Sequence, residues 1–269
     1  MVLSSSSLQS LLAAVMSEHR VNEVDYHAHT TKEMRLLHEK RTPAMVLNKE
    51  FVIHKDVWHP NVCPDLVEYM CREVLRLVEE ELAKRSASAS YDFLEVGCGG
   101  GYTSVLVSLS SKKCRVWATD INEAAVANTN ENAKLHGVEN RVKAVVADVF
   151  NNDDIIGRKF DMIYWASAWA GQYTDKEAQL DPLLYSLIDP GYRGLQRFLS
   201  DAGSYLKDKG RLLVCFSYMV GSEELFKSIA HKNGWKLKIL SSENVNLDIS
   251  GIEKQETPVM IVELLKKEA

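Results

Sequence analysis

Three glycines that follow a short apolar run are the residues of this sequence with the plainest chemical use. Gly97, Gly99 and Gly101 come directly after residues 91–96, and residues 103–109 beyond them are apolar enough for a buried helix. Glycine has no Cβ and tolerates positive φ, so a ligand can lie against the main chain at such a turn, where the helix start offers unpaired N–H donors. The spacing therefore predicts a turn that binds a cofactor.

Three carboxylates narrow the choice of cofactor. Glu95 stands beside the glycine turn, where it disfavours a pyrophosphate but suits the ammonium of an amino acid, such as the methionyl end of S-adenosylmethionine (SAM). Asp120 ends the next β-prone run, roughly 25 residues later, where an acid can accept hydrogen bonds from both ribose hydroxyls. Asp148 follows a third apolar run. A glycine cluster alone is often only a tight turn, so the prediction of SAM rests on the ordered combination.

This combination resembles the class I SAM-dependent methyltransferases, and the resemblance extends from about residue 91 to the C-terminus. It implies that the glycines line the methionine portion of SAM, that Asp120 binds the ribose and that Ile121 packs on adenine. It also implies that Asp148 and the Val149 backbone read the edge of the adenine ring. The predicted cofactor-binding residues are Glu95, Gly97, Gly99, Gly101, Tyr102, Asp120, Ile121, Asn122, Asp148, Val149 and Trp165.

From residue 91 onwards, strand-like runs alternate with helix-like segments. Alternation of this kind predicts an α/β fold, a Rossmann-like class I methyltransferase sheet that is mostly parallel and has helices on both faces. Two closing strand runs have no helix between them, which resembles the antiparallel C-terminal strand of that class, whereas a dinucleotide-binding dehydrogenase would more often add a helix and a parallel strand. The predicted strands are 91–96, 115–120, 142–148, 160–165, 211–217, 235–239 and 259–264, and the predicted helices are 103–109, 123–136, 194–206 and 222–233.

The N-terminal part of the chain has a different pattern. Residues 8–16 and 32–40 favour helix, and residues 45–54 favour a β segment. Pro64 opens a strongly amphipathic helix, because proline is common in the first helical turn. The predicted division is an N-terminal helical cap or arm, residues 1–63, followed by the methyltransferase domain, residues 64–269.

The composition limits the classes of protein that fit. A chain of 269 residues can hold one large domain and a small appendage. A net charge of -5 argues against a nucleic-acid partner, because phosphate binding needs clustered Lys and Arg. Five scattered cysteines fit reduced thiols in the cytoplasm, and no apolar run is long enough to span a membrane. No metal is predicted, since the pair His27 and His29 is too weak a motif, and the oligomeric state stays open.

An aromatic segment follows the fourth strand of the predicted sheet, where open α/β sheets place the substrate. It contains Trp165, Trp169 and Tyr173, which are the candidate catalytic residues together with His59 as a base. The rings could enclose a substrate, such as an amine whose cation favours aromatic faces, or they could merely pack a lid. Methyl transfer needs no dedicated nucleophile, because orientation alone can supply up to roughly 7–11 kcal/mol.

Three further stretches, residues 60–65, 160–163 and 189–195, resemble the HemK-type glutamine methyltransferases that modify release factors. That family carries Asn-Pro-Pro-Tyr to hold an amide, whereas residues 166–169 of this chain read Ala-Ser-Ala-Trp in the matching places. The departure argues against methylation of a protein glutamine. We predict methyl transfer to a small-molecule acceptor, with nitrogen favoured; the alternatives are a protein or RNA methyltransferase and a non-catalytic SAM-binding partner subunit.

Overall fold

A seven-stranded sheet dominates the computed structural model of the chain. The model describes residues 36–37, 40–86, 88–169, 171, 186, 188–218, 220–247 and 255–267. The helix predicted at residues 8–16 and most of that at 32–40 lie outside this described part, as do His27, His29 and Tyr173.

The order of the strands confirms the predicted architecture. In the seven-stranded sheet that order is β5-β4-β3-β6-β7-β9-β8; β9 is antiparallel to both its neighbours, and the other pairs are parallel. The sheet is therefore Rossmann-like and mostly parallel, with an antiparallel C-terminal strand. The elements are β1 (Thr42–Val46), β2 (Lys49–Ile53), α1 (Pro64–Ala83), β3 (Tyr91–Val96), α2 (Tyr102–Ser110), β4 (Cys114–Asp120), α3 (Glu123–Leu135), β5 (Val142–Val146), β6 (Phe160–Trp165), α4 (Arg193–Tyr205), β7 (Leu206–Phe216), α5 (Glu223–Lys232), β8 (Trp235–Leu247) and β9 (Gln255–Lys266).

Helices cover both faces of this sheet. All residues of β3 are buried; Phe93 belongs to the core shared with α1, α2 and α3, whereas Leu94 belongs to the core shared with α4 and α5. Successive side chains of a strand point to opposite faces, so a strand buried on both faces reads as one continuous apolar run. This is why β3 was recognisable in the sequence by its run of apolar residues rather than by alternation.

Several strand ends differ from the sequence prediction. β8 continues to Leu247 rather than ending at residue 239, and β9 covers Gln255–Lys266 rather than residues 259–264. β5 ends at Val146 rather than at residue 148, because the chain leaves the sheet to form the turn that carries Asp148. β7 begins at Leu206 rather than at residue 211 and contains an irregularity at Lys209, whose φ is +62°. A Cβ on the next residue, Gly210, would lie 2.8 Å from the carbonyl oxygen of Phe160, so glycine permits this close approach.

The single β segment predicted at residues 45–54 is wrong, because the chain forms a hairpin there. β1 and β2 are antiparallel, and the turn between them uses Leu47 and Asn48 with φ of +46° and +59°. Positive φ at both central residues is typical of a type I′ turn, for which Asn-Gly or Asp-Gly is the usual sequence. Because the first central residue is a leucine, the sequence does not predict this turn.

Side-chain amides of α3 fasten this hairpin to the rest of the molecule. Asn132 Oδ1 accepts from the N–H of Val52 at 2.9 Å, and its Nδ2 donates to the carbonyl oxygens of Val52 and Gly100, each at 2.8 Å. Asn128 Oδ1 accepts from the N–H of His54 at 2.9 Å. Asn132 thus joins the hairpin to the glycine turn. The predicted domain boundary at residue 63 stays a prediction.

Candidate functional site

A cavity of about 460 Å³ opens at the carboxyl ends of the sheet strands. The segment before α1, α1 itself and the segment after β6 contribute Trp58, Leu66, Met70 and Trp169 to its lining. Gly101 is not part of the lining. The predicted cofactor residues that do line the cavity are Glu95, Gly97, Gly99, Tyr102, Asp120, Ile121, Asn122, Asp148, Val149 and Trp165.

The three glycines after β3 serve different structural purposes, although φ is positive at all of them. A Cβ on Gly97 would lie 2.8 Å from Trp165 Nε1, and one on Gly101 would lie 2.6 Å from Thr129 Oγ1 on α3. A Cβ on Gly99 would meet no atom within 4 Å. Gly97 and Gly101 therefore permit close packing of the protein, whereas Gly99 leaves open space in which a ligand can lie over the main chain.

Glu95 is a buried carboxylate in the cavity wall, with 4% of its surface exposed. Its Oε2 accepts hydrogen bonds from the N–H and the hydroxyl of Ser104, at 2.9 and 2.5 Å, beneath the start of α2. Burial raises the pKa of Glu95 to about 7, although the hydrogen bonds from Ser104 act in the opposite direction. A cationic group placed in the cavity would favour the ionised carboxylate.

Asp120 fixes the glycine turn from the side. Its Oδ2 accepts from the N–H of Gly99 and its Oδ1 from the N–H of Asn122, both at 2.9 Å. Burial raises the pKa of Asp120 against the effect of these hydrogen bonds. Ile121 is 58% exposed although it is a large apolar side chain that lines the cavity. The carboxylate and the glycine turn form one preformed unit, with an apolar side chain available beside it.

The turn after β5 is held from two sides. Val149 has a φ of +59°, which is unfavourable for a β-branched residue, and its carbonyl oxygen accepts from Thr119 Oγ1 at 2.9 Å. Asp148 Oδ1 forms an ion pair with Nη2 of Arg197 at 2.9 Å. Arg197 belongs to α4 and lines the same cavity. Arg197 is not recognisable in the sequence as a site residue, because no local motif links α4 to this turn.

The aromatic segment after β6 is anchored to its neighbours. Ser167 Oγ and Trp169 Nε1 both donate to the carbonyl oxygen of Cys215 on β7, at 3.3 and 3.1 Å. The Trp165 ring lies 5.1 Å, centroid to centroid, from the ring of Phe198 on α4. Trp165 and Trp169 therefore hold this segment in place and also form part of the cavity wall.

His59, the candidate base, is placed away from the cavity lining and is 1% exposed. Its Nδ1 accepts from the N–H of Asn61 at 3.1 Å, so Nε2 carries the hydrogen and donates to Thr42 Oγ1 at 3.0 Å. The ring thereby ties the start of β1 to the turn before α1. These contacts explain His59 by a structural role.

Asp189 is a further residue in the cavity wall that the sequence prediction did not include. Its two carboxylate oxygens accept from the N–H groups of Gly194 and Leu195, both at 2.8 Å, and so cap the start of α4. Burial raises the pKa of Asp189, against the effect of these two hydrogen bonds. An acid followed by proline is too common in turns for its sequence to indicate a place in the site.

Other features of the described residues bear on function. No group of three or more His, Cys, Asp or Glu side chains among them is placed to hold a metal ion. No helix in the described ranges has the length and apolar character needed to cross a membrane. The five cysteines are buried free thiols.

Comparison with known proteins identifies the family. A family model described as "Methyltransferase domain" matches residues 87–257, and the chain belongs to this family. Its cofactor is SAM, as predicted, and the space above Gly99 and the buried Glu95 fit such a ligand. A SAM-dependent methyltransferase of Agrobacterium tumefaciens shares the fold with a TM-score of 0.54 at 14% identity, over 85% of this chain and 71% of that one.

Two relatives among curated proteins are named for protein acceptors. A release factor glutamine methyltransferase of Chlorobaculum tepidum is 27% identical over 158 residues, 54% of this chain and 53% of that protein. A ribosomal protein uL3 glutamine methyltransferase of Francisella tularensis is 28% identical over 131 residues, 45% of this chain and 40% of that protein. The matches thus span about half the length of these relatives, or less.

These relatives overturn the predicted acceptor. The sequence analysis favoured a small-molecule acceptor, with a small molecule as the partner, and that prediction is wrong because the similar proteins are named for protein acceptors. The error came from the aromatic segment at Trp165 to Trp169 and from the acidic net charge. Aromatic rings in a cavity wall can surround the end of a protein side chain as readily as a free small molecule.

Proposed function

We propose that the chain transfers a methyl group from SAM to a side chain of a protein. The observation that carries the proposal is the similarity to glutamine methyltransferases of a release factor and of ribosomal protein uL3. An acceptor in the translation apparatus would place the reaction in the cytoplasm, in which free thiols such as those of the buried cysteines also fit.

Different residues of the cavity wall are suited to different parts of SAM. SAM supplies an electrophilic methyl group on a sulfonium centre. Glu95 suits its ammonium, Asp120 its ribose hydroxyls, and Ile121 a face of its adenine. The space above Gly99 accommodates the part of SAM that crosses the glycine turn. These assignments agree with the burial and hydrogen bonding of the side chains, and they are part of the proposal.

The part of the lining contributed by α1, by the segment before it and by the segment after β6 is suited to the stem of an acceptor side chain. Leu66 and Met70 of α1 and the rings of Trp58 and Trp169 give it an apolar character. The hydroxyl of Ser167 is directed to the carbonyl oxygen of Cys215, as is the indole N–H of Trp169. The role of these residues is to exclude water and to align the acceptor atom, since alignment can supply much of the rate enhancement in methyl transfer.

The proposal is tested by incubating the purified chain and a cell extract with SAM that carries a labelled methyl group, then separating protein, RNA and metabolites. We expect label in the protein fraction, and mass spectrometry then identifies the modified side chain. The control is Gly99→Leu, whose side chain fills the open space over the turn and abolishes labelling. Label confined to RNA or to metabolites would show that the acceptor is not a protein.

A further inference from the structure

Asp148 and Arg197 form an ion pair in the lining of the cofactor cavity. Asp148 follows β5, Arg197 belongs to α4, and both side chains line the cavity. Nη2 of Arg197 lies 2.9 Å from Oδ1 of Asp148, and the two side chains are 50% and 43% exposed. The pair therefore connects α4 to the turn after β5, at which the sequence predicts contact with adenine.

We propose that Arg197 is a positioning residue for the recognition of adenine. By holding Oδ1, it orients the carboxylate of Asp148 so that Oδ2 accepts a hydrogen bond from the exocyclic amino group of the purine. A purine with a carbonyl oxygen at that position would bring two acceptors together, which is repulsive. The specificity would thus be for a 6-amino purine, and the proposal rests on the SAM site described above.

The surroundings of Arg197 make this positioning role physically reasonable. The start of α4 is fixed by Asp189, whose oxygens accept from the N–H groups of Gly194 and Leu195. One residue beyond Arg197, the ring of Phe198 packs against Trp165 at 5.1 Å and stacks on another ring, that of Phe150, at 5.6 Å. The helix therefore presents Arg197 from a fixed backbone, and the planar guanidinium is preorganised, so less conformational entropy is lost for each hydrogen bond that it forms.

A matched ion pair provides the control. Nζ of Lys143 lies 2.7 Å from Oδ1 of Asp154, and these side chains are 53% and 44% exposed, close to the values for Arg197 and Asp148. Lys143 and Asp154 are not part of the cavity lining. Loss of this pair removes a similar surface interaction without a change in the cofactor cavity.

The experiment measures the dissociation constants of S-adenosylhomocysteine and S-inosylhomocysteine by calorimetry, with no acceptor present. The second ligand carries a carbonyl oxygen in place of the amino group. We expect the wild-type protein to prefer the adenosyl ligand by about tenfold or more, as for loss of a hydrogen bond to a charged group. Arg197→Met should lower this ratio by roughly threefold or more, and Asp148→Asn, whose amide can also donate to the carbonyl, should nearly abolish it.

Two results would overturn the inference. If Arg197→Met keeps the wild-type ratio, Arg197 does not position Asp148 for the purine. If Lys143→Met lowers the ratio as much as Arg197→Met does, the effect comes from general destabilisation rather than from the cavity. Since neither ligand transfers a methyl group, the outcome is independent of whether the acceptor is a protein.

Discussion

Gly99 and Gly137 share a backbone conformation but differ in what lies beside them. Their φ angles are +53° and +64°, and a Cβ on either would meet no atom within 4 Å. Only Gly99 lines the cavity. Gly99→Ala should therefore raise the dissociation constant of S-adenosylhomocysteine by about tenfold, because the methyl group takes space needed by the ligand.

Gly137→Ala is the matched control for that measurement by calorimetry. It introduces the same left-handed strain at the end of α3, and hence a similar loss of stability, without a change in the cavity. Equal weakening of binding in the two variants would show that backbone strain, not blocked space, explains the effect.

The buried carboxylate of Glu95 should make cofactor binding dependent on pH. Burial raises the pKa of Glu95 to about 7, whereas an ammonium partner requires the ionised form. Below pH 7 part of the binding free energy must be used to remove the proton, and above it none is needed. The dissociation constant of S-adenosylhomocysteine should fall by about tenfold from pH 6 to pH 8.

Glu95→Gln is the control for this pH dependence, because its amide oxygen can still accept from Ser104 but cannot titrate in this range. Its dissociation constant should be higher than that of the wild type at pH 8 and nearly constant from pH 6 to pH 8. A wild-type curve without slope in that range would exclude Glu95 as the partner of the ammonium.

At the residue scale, the sequence predicted the cavity residues near the ends of β3 and β4 better than those contributed by other segments. Glu95 and Asp120 were found because each lies at the carboxyl end of a strand, and the carboxyl ends of neighbouring parallel strands meet at one edge of the sheet. Trp58 and Arg197 reach the cavity from segments far from those strands, so only tertiary structure places them. Gly101 matched the motif, but its purpose is contact with α3.

At the element scale, the asparagines of α3 form two separate attachments. Asn132, fully buried, binds Val52 of the hairpin and Gly100, whereas Asn130 binds the backbone N–H and carbonyl groups of Ala144 on β5 at 3.1 and 3.2 Å. Asn132→Ala removes the side-chain partner of the Val52 N–H and of the Gly100 carbonyl oxygen, whereas the Val52 carbonyl oxygen keeps Asn128 Nδ2. The substitution should lower the free energy of unfolding by about 2–4 kcal/mol.

Hydrogen exchange distinguishes the two attachments. Asn132→Ala should increase amide exchange in β2 and in the glycine turn, while Asn130→Ala should increase it in β5 and leave β2 unchanged. If exchange in β2 is the same in both variants, the hairpin is held by its apolar contacts, such as Phe51 in the core, rather than by the amides.

The elements of the sheet were more predictable than their ends. Buried strands such as β3 and β6 are mostly apolar, with Asp92, Glu95 and Asp161 as the exceptions, and both were predicted with the observed bounds. The ends of β5 and β7 depend on where a turn or an irregularity leaves the ladder, and the hairpin depends on positive φ at Leu47 and Asn48. Those conformations are imposed by packing rather than by residue type.

At the scale of the whole molecule, the end of the sheet remote from the cavity carries a network of ion pairs. Nζ of Lys207 lies 2.6 Å from Asp92 Oδ2 and 2.8 Å from Asp161 Oδ2, and both carboxylates are buried. Burial alone would raise the pKa of Asp92, but hydrogen bonds from Arg115 and Lys207 outweigh it and hold that pKa below its ordinary value.

Lys207→Met should therefore lower the free energy of unfolding by about 1–2 kcal/mol at pH 7, a value reduced by the partial exposure of the lysine. A carboxylate with a depressed pKa stabilises the folded state above its unfolded pKa, near 4, and this contribution is lost as the pH falls. Urea unfolding should show the difference from wild type shrinking below about pH 4. A difference independent of pH would point to lost packing of the lysine stem instead.

The sequence was sufficient to predict the methyltransferase class, but it did not predict the acceptor of the methyl group. Residues of the glycine turn and the acids line the cavity in which we propose that SAM binds, so the cofactor constrains their chemistry. The acceptor is proposed to meet segments such as residues 166–169, in which the side chains of Ser167 and Trp169 are hydrogen-bonded to the protein's own backbone. Nothing in the types of these residues distinguishes a free amine from the end of a protein side chain.

The attachment of the hairpin to α3 has a consequence for association between chains. A two-stranded hairpin is marginally stable alone, and unpaired strand edges recruit strands from other molecules into aggregates. Backbone groups at Val52 of β2 and at His54, the residue after β2, are already bonded to Asn128 and Asn132. The helix thus occupies the place of a third strand, so these positions offer no template to an incoming chain during folding or at high concentration.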